Sequence, residues 1–184
     1  MFFVALFYAF ALLFISFTSG IHAHVIPRHR HIPAIASRGS QRQIDAFLDA
    51  HNTIRASHSA PALTWSTSLA EKAEFWADQC QFIHSDGKLD DTLYGENIAA
   101  ATGDFTIPAA VATFISDEDK YDPANPSYFR FTQVVWKSTT ELGCAVSQCR
   151  GIFPQALLTR TTFYVCLYNP AGNIVGKAPE NVQV

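Results

Sequence analysis

The sequence predicts an α+β domain. Three observations carry that reading. Apolar residues recur at helical spacing through the first half of the chain beyond residue 40. Two apolar runs, residues 142–147 and 161–168, read as strands near its end. Helices then precede strands without the regular alternation that builds a parallel sheet.

The elements follow in order. Residues 1–23 carry no charge, and the apolar block from Phe2 to Phe17 is short for a membrane span. Small residues follow it, so the segment reads as a secretory signal cleaved after Gly20 or Ala23. Residues 24–40 hold His24, Arg28, His29, Arg30, His31, Pro33 and Arg38 without periodicity, and read as a disordered, solvated N-terminal tail or a short pro-segment. The domain proper is expected over residues 41–184. Ser40 to Gln43 fits a capping box, and Ile44, Phe47, Leu48, His51 and Ile54 continue at helical spacing to about Ser57. Ala60-Pro61 breaks that helix. A second helix, capped by Ser66 or Ser68, carries Leu69, Ala73, Trp76, Ala77 and Cys80 on its buried stripe. Residues 86–95 read as loop. Pro108 suits the first turn of a third helix, Ala109 to about Lys120, whose acidic end Asp117-Glu118-Asp119 reads as solvated. Pro123 and Pro126 force a loop. Phe131–Trp136 fits a strand or a helical turn equally well. Leu142–Ser147 and Thr161–Tyr168 are strands, the second apolar on both faces and therefore central.

Composition narrows the function classes. The formal net charge is −3; the three arginines of the tail, unopposed by any acid, leave −6 for residues 41–184. An acidic domain without a basic stripe argues against nucleic acid and anionic membrane surfaces as partners. Four cysteines, Cys80, Cys144, Cys149 and Cys166, behind a secretory signal imply two disulfides, with three pairings open. A four-thiolate zinc site needs a second close cysteine pair that the chain lacks. Nucleophile-elbow, zincin, phosphate-loop and EF-hand patterns are all missing, and Asn125-Pro126-Ser127 is barred from glycosylation by its proline.

Four runs carry a more specific signal: Cys80-Gln-Phe-Ile-His84-Ser85, Gly95-Glu96-Asn97-Ile98-Ala99, Phe131-Thr-Gln-Val-Val-Trp-Lys-Ser-Thr139, and Tyr164-Val-Cys-Leu-Tyr-Asn-Pro-Ala-Gly-Asn173. Together, over about residues 41–178, they resemble the CAP superfamily of cysteine-rich secretory, antigen 5 and pathogenesis-related 1 proteins, and look more fungal than plant or animal. The resemblance implies a three-layer α/β/α sandwich, a secreted monomer, and disulfides Cys80–Cys144 and Cys149–Cys166. It also implies a central cleft built from two histidines and two acids, which holds a divalent metal in some members. Carried over, these are His84, Glu96, Asp117 (with Glu118 as alternative) and Arg130. Arg130 stands where the family usually has histidine. Its guanidinium has no lone pair to offer and repels a cation, so no metal or other cofactor is expected; it can instead fork onto Glu96 or Asp117.

Catalysis is not expected. A hydrolase would need His84 as base and Glu96 to orient it, but no nucleophile is marked, and a structural role for both is favoured. The family resemblance implies instead a small hydrophobic ligand, a sterol or fatty acid. Sterol binding is attributed to an aromatic loop that here comprises Tyr121, Pro123, Pro126, Tyr128, Phe129 and Phe131, with Tyr121 and Phe131 also fitting a core role. Fatty acids occupy, in some relatives, a groove between the first helix and the third or fourth. A metal-assisted hydrolase and a protein-interaction module in defence or virulence are the competing classes.

Overall fold

A computed structural model describes residues 38–184. Residues 1–37, with the expected signal and most of the expected tail, lie outside the described residues. Helix α1 (Arg38–Ser57) begins two residues before the expected capping box and takes in the last three residues assigned to the tail. Strand β1 (Thr64–Trp65), helix α2 (Thr67–Ala77), strand β2 (Gly95–Thr102), helix α3 (Ile107–Phe114), helix α4 (Arg130–Val134), strand β3 (Glu141–Cys149), strand β4 (Thr161–Asn169) and helix α5 (Ala178–Asn181) follow. The sheet order is β1-β3-β4-β2, with β1 parallel to β3 and the other pairs antiparallel.

Strand periodicity creates the layers. Along β4, Phe163, Val165 and Leu167 pack with Leu69, Ala73 and Trp76 of α2. Their neighbours Tyr164, Cys166 and Tyr168 pack with Phe47 of α1, Val111 and Phe114 of α3, and Phe131 and Val134 of α4. Because successive side chains alternate faces, one strand covered by helices on both sides must be apolar throughout. The result is the three-layer α/β/α sandwich. Helix α2 lies so close to β3 that a Cβ on Gly143 would sit 2.3 Å from the Ala70 backbone nitrogen.

The disulfides differ from the expected pairing. They are Cys80–Cys149 and Cys144–Cys166, not Cys80–Cys144 and Cys149–Cys166. The alternation gives the reason. Cys144 and Cys149 are five residues apart on one strand, so they serve opposite layers. Cys144 faces Cys166 directly across the antiparallel ladder, with Cα atoms 4.1 Å apart, whereas Cys149 sits opposite Thr161. Cys149 lies in the α2 layer, where the chain leaving α2 at Cys80 reaches it at a Cα separation of 5.5 Å.

Other differences are local. Residues 95–102, where only a loop end was assigned at Gly95, form the edge strand β2. Helix α3 stops at Phe114, and Glu118–Lys120 forms a separate 3-10 turn, so Asp117 is 6% exposed and not the solvated helix end expected for it. Phe131–Val134 resolves as helix. Gln133 of that helix is a wedge. Its Oε1 accepts the Gly172 N–H at 2.9 Å, and a Cβ on Gly95 would fall 2.0 Å from the same oxygen. Arg55, fully buried, donates to the carbonyls of Pro61, Val134, Trp136 and Thr139 at 2.7–2.9 Å, tying α1 to the segment around α4. Among the described residues no helix is long and apolar enough to cross a membrane.

Candidate functional site

The four cleft residues form two ion pairs. Glu96, at the start of β2, has a side chain only 7% exposed. Its carboxylate accepts the Ser85 N–H on both oxygens at 3.1 and 3.2 Å, the Ser85 hydroxyl, and the His84 Nδ1–H at 2.6 Å. The Ser85 hydroxyl also meets the Tyr94 hydroxyl at 2.6 Å. One buried carboxylate therefore organises the whole turn after Cys80. The hydrogen bond from Glu96 raises the His84 pKa above the ordinary imidazole value, with partial burial opposing it.

The second pair sits at the N-terminus of α4. Arg130 Nε donates to Asp117 Oδ2 at 3.2 Å, and a guanidinium N–H reaches the Ser116 hydroxyl at 3.3 Å. Asp117 Oδ1 accepts the Phe131 N–H at 3.1 Å and so satisfies one of the open amides of the helix. Arg130 thus pairs with Asp117 and not Glu96, through a single N–H and not the expected fork, and the choice between neighbouring acids falls on Asp117. Glu118 instead lies 3.5 Å from His58 Nε2. Asn97 links the pairs: it follows Glu96 on β2, so it points to the opposite face, and its amide donates to the Arg130 carbonyl at 3.1 Å. The same amide donates to the Tyr168 hydroxyl at 3.2 Å, which meets His51 Nε2 at 2.9 Å.

The polar groups of the cleft are largely spent on one another. Both Glu96 oxygens are committed to donors, and Asp117 is neutralised by a fixed cation. Only His84 retains an uncommitted ring nitrogen on a half-exposed side chain. Ser85 is fully buried, and its hydroxyl is held by Glu96 and Tyr94, out of reach of substrate. Among the described residues, three metal-type donors converge at His51, Cys144 and Cys166, but both sulfurs are bonded to each other.

The aromatic loop divides in two. Tyr121 (7% exposed) and Phe131 are core residues, 6.3 Å apart between ring centroids. Half-buried Tyr128 accepts the Gly176 N–H on its hydroxyl at 2.6 Å and approaches Trp136. Phe129 precedes α4, its N–H donating to Thr132 Oγ1 at 2.8 Å. Pro123 is exposed and Pro126 half-buried, on either side of a turn in which Asp122 accepts from Ala124 N and Asn125 Nδ2. Tyr128 and Phe129 are therefore the aromatics with surface to offer.

A groove of about 530 Å³ runs between α1 and α3. Ala46, Ala50 and Ala112 leave the space that larger residues would fill, and Ile54, Val111 and Ile115 make its walls apolar. Sequence spacing alone left this groove unlocated, because an apolar helix stripe reads the same against core or ligand. The run of alanines on facing helices is the signal that could have found it.

The fold, the paired disulfides and the acid-lined cleft define a disulfide-stabilised sandwich with a partly dismantled polar site. The chain belongs to the CAP, or cysteine-rich secretory protein, family, whose profile matches residues 48–168. It is 42% identical over 143 residues to "Secreted protein RBT4" of Candida albicans, covering 73% of this chain and 36% of that one. With "Fruiting body protein SC7" of Schizophyllum commune it shares 37% identity, covering 82% and 78%. A "Probable pathogenesis-related protein" of Arthroderma benhamiae is 36% identical, over 72% of this chain and 46% of its own. The chain thus spans less than half the length of the Arthroderma and Candida relatives. Among solved structures, the Schistosoma mansoni venom allergen-like protein 4 aligns with a TM-score of 0.56 at 22% identity, covering 70% of this chain and 88% of that one, a likeness of fold.

Proposed function

We propose that this protein acts outside the cell as a carrier of small hydrophobic molecules, fatty acids or sterols, and does not turn over a substrate. The α1–α3 groove is the observation that carries the reading. Its volume falls within the range of small-molecule sites, its walls are mainly aliphatic, and Asp49 and Thr53 supply polar atoms at its edge. An acyl chain suits such a groove. A flat sterol suits the exposed parts of Tyr128 and Phe129. The names of the Candida and yeast relatives, secreted proteins among them, support an extracellular setting. The commitment of Glu96, Asp117 and Ser85 to internal partners supports a non-enzymatic, metal-free cleft.

The test is titration with a fluorescent fatty acid and a fluorescent sterol. Ala50→Leu with Ala112→Leu fills the groove and is expected to weaken fatty-acid binding about tenfold or more. Tyr128→Ala with Phe129→Ala is expected to do the same for sterol, while His84→Ala leaves both within about threefold. Unchanged affinity in the groove-filled protein, shown folded by circular dichroism, would refute the groove as the site.

A further inference from the structure

On the α2 side of the sheet, the connection from β3 to β4 carries an apolar tip that is left exposed among the described residues. Leu157 and Leu158 are 59% and 85% exposed. They follow the 3-10 turn Pro154–Ala156, and two successive backbone bonds, Ala156 N–H to the Phe153 carbonyl and Thr159 N–H to the Ala156 carbonyl, hold the tip in shape. The base of the tip is anchored. Phe153 packs edge-on against Phe82, and Phe82 against Phe163 of β4, with centroids 6.1 and 5.8 Å apart. Phe82 is itself 42% exposed, so the apolar surface continues from the tip to the chain beside the Cys80–Cys149 bond.

The stretch of sequence that carries this tip holds charges of one sign. Arg150 and Arg160 flank it, both exposed, and no acid occurs between Glu141 and Glu180 in the sequence. The domain as a whole is acidic, which opposes binding to anionic surfaces. That opposition is local in reach, because charges more than about 8 Å away are largely screened at physiological salt. The two exposed arginines are the charges nearest to Leu157 and Leu158 along the chain. A rigid pair of leucines between two cations is the chemistry of a shallow interfacial anchor, apolar side chains entering the headgroup boundary while arginines meet lipid phosphates.

We propose that the 150–160 tip is a docking element for reversible attachment to anionic lipid bilayers. The inference stands apart from the hydrophobic-ligand reading, since it concerns a different face and needs no ligand. Two leucines and two arginines make a weak anchor, suited to transient contact and not to permanent attachment.

The test is flotation of the full chain with phosphatidylcholine vesicles, with and without phosphatidylserine, in the absence of sterol or fatty acid. Partition constants are measured at subsaturating lipid, where any contribution of residues 1–37 enters all variants as a common factor. The expected result is binding that rises with phosphatidylserine. It should fall about tenfold or more in Leu157→Asp with Leu158→Asp, and comparably in Arg150→Glu with Arg160→Glu on the anionic vesicles. Both variants change exposed side chains and should keep the parent circular dichroism and melting temperature. Vesicle binding that is indifferent to both double variants overturns the proposal. So does a leucine-dependent dimer in sedimentation without vesicle binding, which would make the tip a self-association surface.

Discussion

Acid should destabilise this protein through His51. The imidazole is fully buried on α1, its Nδ1–H donating to the Phe47 carbonyl at 2.8 Å and its Nε2 accepting from the Tyr168 hydroxyl at 2.9 Å. Burial pushes its pKa down from 6.5 to about 4; the Phe47 carbonyl opposes this, and Arg55 one turn away adds to it. Between those pH values the unfolded chain binds a proton that the folded chain refuses. Stability is therefore present above about pH 6.5 and is lost as pH falls toward 4. At about 1.4 kcal/mol per pH unit, the gap amounts to about 3 kcal/mol. His84 has the opposite sign: its raised pKa contributes stability below the unfolded value, lost as pH rises through the folded one. That contribution is shared by a His51→Gln variant, in which glutamine keeps a donor and an acceptor without titrating. Urea unfolding of both proteins across this pH range is the assay. The parent should lose about 3 kcal/mol more than the variant on acidification. Parallel pH curves would refute the argument that His51 is held neutral by burial.

Gly143→Ala should cost on the order of 1–3 kcal/mol, because its Cβ would meet α2 backbone at 2.3 Å and neither layer can retreat; a melting temperature lowered by several degrees is expected, and an unchanged one would contradict the packing. Non-reducing peptide mapping should return Cys80 joined to Cys149 and Cys144 joined to Cys166. A Cys80–Cys144 peptide would restore the pairing the family resemblance implied. Arg130→His should raise zinc affinity about tenfold or more in calorimetry, since it removes the cation beside Asp117 and adds a lone pair; equal affinity in both forms would show that Arg130 is not what disfavours the ion.

Where a pattern has one physical meaning, the sequence was enough. The both-face apolarity of residues 161–168 fits a strand covered twice, and β4 is one of the two inner strands. The stripe Leu69, Ala73, Trp76 and Ala77 had to be buried, and it is. Where a pattern had two meanings, it was not enough. Phe131–Trp136 fitted strand and helical turn alike, and the arginine anchor that holds it comes from Arg55, far away in sequence. Residues 95–102 carry alanines in place of β-branched residues, so β2 shows little strand propensity and owes its form to pairing with β4. The disulfide pairing was not legible, because the strand read over residues 142–147 stops short of Cys149. Only with β3 extended to Cys149 does the odd spacing from Cys144 assign the two to opposite layers.

The runs that identify the family turn out to be mostly architecture. Gln133 comes from one signature run, Gly95 from a second and Gly172 from a third, and the three interlock because only glycine leaves room for the amide. Asn97 holds the start of α4, and Thr139 donates to the Pro170 carbonyl at 2.9 Å. Such contacts are satisfied within the fold and ask nothing of a ligand, so they persist whatever the cleft does. The polar cleft is under a looser constraint. Replacing a histidine by Arg130 would leave an unpaired charge unless an acid could take it, and Asp117, already needed at the Phe131 amide, has an oxygen to spare. The substitution is therefore absorbed within hydrogen-bonding distance and leaves the frame intact. The apolar surfaces lie elsewhere: the α1–α3 groove, the Tyr128–Phe129 edge and the 150–160 tip. The internally paired cleft and the open, mainly aliphatic α1–α3 groove are the two features on which the proposed carrier reading rests, and the groove-filling variant separates them.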